Sequence, residues 1–189
     1  VKEFKMIRLS TLNIIERERK GQWKYADPEI TGVETSSLRI EKGHIFVAKH
    51  SKTKNSHGAI FSNQAFQKGA SLIISDLAGY QYAETKGLNL AIPFLLVENV
   101  ELTLNKILKN IYRDKPKFVM GVTGTNGKTS VVNFSQQLIE QKNKSCVTIG
   151  TLGVEGVISL RTENTTPDQT FIFRILQIAK SRGANYGLL

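Results

Sequence analysis

Residues Gly121-Val-Thr-Gly-Thr-Asn-Gly-Lys-Thr129 constrain this chain more than any other stretch. They follow the apolar run Phe118-Val-Met120 and lead into a segment whose apolar positions Val131, Phe134, Leu138 and Ile139 recur at helical spacing. Strand, glycine loop and helix in that order make a phosphate cradle. The glycines let the backbone turn tightly, so successive N–H groups and the positive end of the following helix converge on one anion. In such a loop Gly124, Thr125, Asn126, Gly127, Lys128, Thr129 and Ser130 line a nucleoside triphosphate. Lys128 reaches the terminal phosphates, and Thr129 offers its hydroxyl to the accompanying Mg2+. The strict pattern has a glycine where this chain has Val122, so the match is to a variant loop. A turn that merely joins strand to helix is the plainer alternative.

The bulk properties bound what surrounds the loop. A length of 189 residues allows one large or two small domains, and 40% apolar with 22% charged content is that of an ordinary globular protein. No apolar run approaches a membrane span, and Val1-Lys-Glu-Phe-Lys-Met6 does not open a signal peptide. A cytoplasmic protein without a membrane partner is expected. The formal charge of +10 raises a nucleic-acid reading. The basic residues are scattered, however, and no aromatic platform interleaves with them, so no nucleic-acid partner is expected. Small phosphate-rich ligands suit the same field. Cys146 is the sole cysteine and sits in an apolar run, which predicts a buried thiol and rules out a disulfide framework within the chain. His44, His50 and His57 have no carboxylate cluster beside them in sequence, and no metal site is expected there.

Along the chain, residues 6–20 read as an amphipathic helix. Strand-length apolar runs follow at 30–33, 45–48, 72–74 and 94–97. A helix is predicted over 59–68 with Ile60, Phe61, Ala65 and Phe66 on one face and Gly69 as its stop, and another over 99–112. This alternation is an α/β signature. The charged stretch Arg113-Asp-Lys-Pro-Lys117 suggests domains at 1–114 and 115–189. In the second, 145–151 reads as a strand, 154–160 as a hairpin arm or further strand, and 183–189 as the opening of another. A helix begins at Pro167, with Phe171, Ile172, Ile175, Leu176 and Ala179 as its apolar stripe.

The string Thr-Gly-Thr-Asn-Gly-Lys-Thr at 123–129 resembles the ATP loop of the Mur ligases, the ATP-dependent amide-forming enzymes that build the peptidoglycan stem peptide. Folylpolyglutamate synthetases share a similar loop. Residues 30–48 are similar to the N-terminal domain of the second and third amino-acid-adding members. Their usual string is Asp-Ser-Arg, a few residues, then Gly-Asp-Leu-Phe-Val-Ala. This chain keeps Ser37, Gly43, Phe46, Val47 and Ala48, and has Ser36, Leu38 and His44 where the family has aspartate, arginine and aspartate. Gly150-Thr-Leu-Gly153 followed by Asn164-Thr-Thr-Pro167 resembles the member that adds the third residue. A threonine pair before a proline is also a plain helix start signal.

The resemblance implies a small N-terminal α/β domain that binds the uridine end of a UDP-sugar, followed by the start of a P-loop parallel-sheet ATP-binding domain. It implies ATP and Mg2+ as cofactors, Ser37, Asn164, Thr165 and Thr166 as substrate-binding positions, and Lys128 and Thr129 as the catalytic pair. The reaction implied is activation of the carboxylate of UDP-MurNAc-L-Ala-D-Glu and its attack by a diamino acid, in an enzyme that is monomeric when complete. Alternatives are the ligase that adds the terminal dipeptide, a nucleotide or UDP-sugar binding module without turnover, and an unrelated P-loop NTPase. The resemblance spans the whole chain but less than half of a typical member. The Mg2+-supporting glutamate, the carbamylated lysine and the amino-acid-selecting domain are expected to lie beyond it. A parallel sheet cut after its first strands is expected to leave an open edge, bare helix faces and low stability for 115–189.

Overall fold

The computed structural model describes residues 6–14, 27–51, 56–87, 93–161 and 167–189. The chain divides into two compact units, Val1–Ile111 and Tyr112–Leu189.

The first unit opens with β1 (Ile7–Arg8), paired antiparallel with β2 (Glu29–Ile30). The amphipathic helix expected over 6–20 is not what the described part forms. Leu9–Leu12 is a single 3-10 turn that stops at Asn13 in the left-handed conformation (φ 51°). Leu9 and Leu12 are both buried, and a three-residue spacing stacks them on a 3-10 turn as well as on an α-helix. The remainder of that segment, with Trp23 and Tyr25, lies outside the described residues.

Four parallel strands then build a sheet in sequence order: β3 (Gly32–Glu34), β4 (His44–Val47), β5 (Leu72–Ser75) and β6 (Phe94–Leu96). Their near-continuous apolar runs are what a sheet covered on both faces requires. Phe46, Ala48 and Ile73 enter a cluster with Ala59, Ala65 and Ala83 from the helical segments on one face. Ile45, Val47, Leu72 and Ile74 alternate to the other and are fully buried. The helices are α1 (Ser62–Gln67, after a 3-10 turn at Gly58–Phe61), α2 (Leu77–Glu84) and α3 (Val100–Ile111). In α3, Leu104, Ile107 and Leu108 are fully buried, Asn99 Oδ1 accepts the Leu102 N–H at 2.9 Å, and the helix packs on β3 and on the Leu9–Leu12 turn. Of the predicted face of the 59–68 helix only Ala65 is inside. Ala59, Ser62 and Ala65 are buried, while Ile60, Phe61 and Phe66 are exposed, because the backbone lies too close to the sheet for larger side chains.

His57 ties this unit's loop to its sheet. It is 4% exposed, and its Nδ1 accepts the Ala59 N–H at 3.1 Å. A neutral ring therefore carries its proton on Nε2, 3.4 Å from the Asp76 carboxylate. Asp76 in turn caps α2 by accepting the Gly79 N–H at 2.7 Å. Gly79 has to be glycine here, since a Cβ would sit 2.3 Å from His57 Cε1.

The second unit has the sheet order β7 (Phe118–Met120), β10 (Tyr186–Leu188), β8 (Cys146–Gly150), β9 (Gly153–Gly156). β10 pairs parallel with both β7 and β8, and β9 closes an antiparallel hairpin on β8. α5 (Gln169–Ser181) buries Ile175, Leu176 and Ala179 against β8. Pro167 stands just before this helix rather than in its first turn, and the cap is Asp168, which accepts the Phe171 N–H at 2.9 Å. α4 (Lys128–Gln141) lies along β8 with none of its residues buried. Val131, Phe134 and Leu138 are exposed, as are Phe118, Val119 and Met120 of the edge strand β7.

Burial lowers the His57 pKa below its ordinary 6.5, against a smaller opposing pull from Asp76. The unfolded chain therefore takes the proton more readily than the folded one. The stability tied to the neutral ring is complete above 6.5 and is lost as pH falls from there through the folded value. Urea unfolding of His57→Gln is expected to lose less stability than wild type between about pH 7 and pH 5. Parallel pH profiles for the two proteins would show that His57 does not carry this dependence.

Candidate functional site

The phosphate loop is held at both ends. At its entry, Val122 N–H donates to Leu189 O at 2.7 Å and Leu189 N–H donates to Met120 O at 2.9 Å, so β10 fixes where β7 ends. At its exit, Gly127 is the N-cap of α4 in the left-handed region (φ 78°), where other side chains are strained, and its carbonyl accepts the Val131 N–H at 3.0 Å. A Cβ built on Gly121 or Gly127 meets nothing within 4 Å. The loop is an open cradle at a helix N-terminus without acidic residues in its first turn, which fits a polyphosphate.

Lys128 is folded back onto this loop. Its Nζ donates to Gly124 O at 2.5 Å and to Thr125 O at 3.3 Å. Thr129 Oγ1 lies 3.4 Å from Thr151 Oγ1, across 22 residues of sequence. Gly124, Thr125, Asn126 and Ser130 are all exposed around the same loop. Beside it is a cavity of about 330 Å³, whose polar lining comes from Lys128, Thr129, Asn133, Thr148, Thr151 and Glu155. The glycine spacing pointed to the first two of these. Asn133 is one helical turn beyond Thr129, and Thr148, Thr151 and Glu155 arrive through the β8–β9 pairing, so no local motif marks them.

Of the other expected positions, Ser37 is buried, and its hydroxyl donates to Gln64 Oε1 at 2.7 Å. Next to it, Arg39 Nε is 3.0 Å from the carboxylate of Glu34, which is 3% exposed, an ion pair the sequence did not announce. A larger cavity in this unit, about 770 Å³, opens beyond the C-terminal ends of β5 and β6, where open α/β sheets hold ligands. Asn13, Asp76, Glu98, Asn99, Thr103 and Lys106 line it, and Ser37 does not. Asn164, Thr165 and Thr166 lie outside the described residues. The histidine rings serve the backbone: His44 Nδ1 accepts from Glu41 N–H at 3.3 Å, as His57 does from Ala59. Cys146 is buried, and burial, with Glu140 nearby, pushes its thiol up to about 11. A thiol in that state is no nucleophile near neutrality.

Residues 122–189 match the family described as the Mur ligase middle domain. The chain is similar to a UDP-N-acetylmuramoyl-L-alanyl-D-glutamate–2,6-diaminopimelate ligase of Mesorhizobium japonicum, with 32% identity over 164 residues, 85% of this chain and 32% of that one. A solved structure of a ligase with that name matches at a TM-score of 0.72 and 23% identity, covering 97% of this chain and 36% of the other. A crystal structure of MurF from Acinetobacter baumannii matches at 0.55 and 15% identity, covering 88% and 31% respectively. At these identities the likeness to solved structures is one of fold. The chain spans about a third of the length of the curated relatives it matches.

Two measurements check the site. Lys128→Ala is expected to weaken ATP binding about 10- to 100-fold, the worth of one charge-assisted hydrogen bond. Titration with a fluorescent ATP analogue reads this directly, and unchanged affinity would remove Lys128 from the site. The Cys146 thiol is expected to react with an aromatic disulfide at pH 8 about 100-fold more slowly in the folded chain than in denaturant, as its thiolate fraction dictates. Equal rates would contradict its burial.

Proposed function

The chain belongs to the Mur ligase family, and from that premise we propose that its whole protein is an ATP-dependent ligase joining a diamino acid to UDP-N-acetylmuramoyl-L-alanyl-D-glutamate. The relatives' names supply the substrate class, with 2,6-diaminopimelate as the amine. What carries the reading in this chain is the open loop at the N-terminus of α4, with Lys128 already placed inside it.

The task is to turn a carboxylate into a species an amine can attack. Transfer of the terminal phosphoryl of ATP to that carboxylate replaces a poor leaving group with phosphate. Negative charge builds on the transferring group, and fixed positive charge beside it lowers the barrier. Gly124 to Gly127 supply backbone amides that orient the triphosphate. Lys128 exchanges its two loop carbonyls for phosphate oxygens. Thr129 and Ser130 stand in the first turn of α4, where the helix dipole adds to the same field. Mg2+ bound through Thr129 would offset further phosphate charge.

The substrate positions follow by place in the sequence. Ser37 spends its proton on Gln64 and keeps its oxygen lone pairs for a donor on the uridine end. Asn164, Thr165 and Thr166 are assigned to the sugar-peptide. The test uses the full-length protein with the UDP-dipeptide, ATP, Mg2+ and 2,6-diaminopimelate. Phosphate release is expected to require both the UDP-dipeptide and the diamino acid, and Lys128→Ala is expected to lower the rate by about 100-fold or more. ATP hydrolysis indifferent to the UDP-dipeptide would sink the proposal.

A further inference from the structure

Thr129 is on the first turn of α4, where a threonine hydroxyl commonly donates to the carbonyl four residues earlier. In this chain that carbonyl belongs to Thr125, and the Thr129 hydroxyl is not directed to it. Among the described residues, the one hydrogen-bond partner of the Thr129 hydroxyl is Thr151 Oγ1. Thr151 is held where it is by backbone pairing alone. It occupies the tight turn between β8 and β9, with Gly150 opposite Gly153, and Val154 and Leu160 exchange N–H to carbonyl bonds at 2.8 and 2.9 Å just behind it. Both residues line the 330 Å³ cavity beside the glycine loop.

A threonine that ligates a divalent cation does so through an oxygen lone pair and keeps its proton. That proton needs an acceptor on the side away from the cation, or the hydroxyl rotates and the lone pair turns off line. Resting on the ATP- and Mg2+-dependent reading above, we propose that Thr151 is a positioning residue for Mg2+. Its Oγ1 accepts the Thr129 proton and so directs the Thr129 lone pair at the cation. The present 3.4 Å separation is long for two hydroxyls, and the proposal requires it to close to about 2.8 Å when the cation binds. The β8–β9 turn thereby joins the cation site through a single hydroxyl.

The experiment measures ATP affinity of the full-length protein with and without Mg2+, for wild type, Thr151→Val, Thr151→Ser and the double variant Thr129→Val/Thr151→Val beside Thr129→Val. Thr151→Val keeps the shape and removes the hydroxyl. It is expected to cut the gain in affinity that Mg2+ brings by about 10-fold, within the range for an outer partner of a metal ligand. Affinity without Mg2+ should stay as in wild type, Thr151→Ser should restore the gain, and the double variant should be no worse than Thr129→Val alone. A Thr151→Val protein with the full Mg2+ gain, or one that loses affinity equally with and without Mg2+, overturns the proposal. Far-UV circular dichroism of each variant separates misfolding from these outcomes. A wild-type protein whose ATP binding ignores Mg2+ would instead strike the reading of the loop itself.

Discussion

The second unit depends on one constraint: the chain must leave a parallel strand and turn within a few residues into a helix. β10 hydrogen bonds fix the end of β7 through Val122, Met120 and Leu189. Gly127, in the left-handed region, turns the backbone into α4. Between these anchors residues 123–126 are exposed beside the N-terminal end of α4. The polar groups of the neighbouring cavity are arranged around that helix end. Lys128 and Thr129 are the first two residues of that helix, and the β8–β9 hairpin brings Thr151 to the same place from the opposite side.

How much of this could be read from the residues depends on how locally each element is specified. β4, β5 and β6 announce themselves because doubly covered strands must be apolar along their whole length. α3 is plain because its stripe of Leu104, Ile107, Leu108 and Ile111 is long and regular. α2 left no such trace. Its buried contacts are Gly79 and Ala83, and two small residues make no apolar stripe even though they are what lets the helix lie against His57 and the sheet. In the 59–68 segment likewise Ala59 and Ala65 are buried while Phe61 and Phe66 are exposed, so the bulky residues did not mark the inner face. At 6–14 the spacing of Leu9 and Leu12 served a 3-10 turn and a helix equally, and Asn13 decided between them.

The site divides along the same line. Lys128, Thr129 and the loop glycines lie within a few residues of one another, so a spacing rule finds them. Thr148, Thr151 and Glu155 reach the cavity through strand register, which no short window of sequence contains. In the first unit the paired polar groups also lie outside any short motif. Leu38 stands where the family has an arginine and is 71% exposed, while Arg39 beside it meets the buried Glu34 carboxylate. His57 takes a capping role that a carboxylate would otherwise fill, accepting a backbone N–H through its ring nitrogen.

The folded-back Lys128 has a consequence for what the loop will accept. Two of the three N–H groups of its ammonium are taken up by loop carbonyls, so an anion that approaches Lys128 competes with those carbonyls for donors while the full positive charge remains. A singly charged ion competes weakly for those donors, because the bonds it would replace are themselves charge-assisted. A chain of phosphates presents several charged oxygens at once and tips the exchange. A lysine held this way would favour ligands that offer several charged oxygens together over sparse anions.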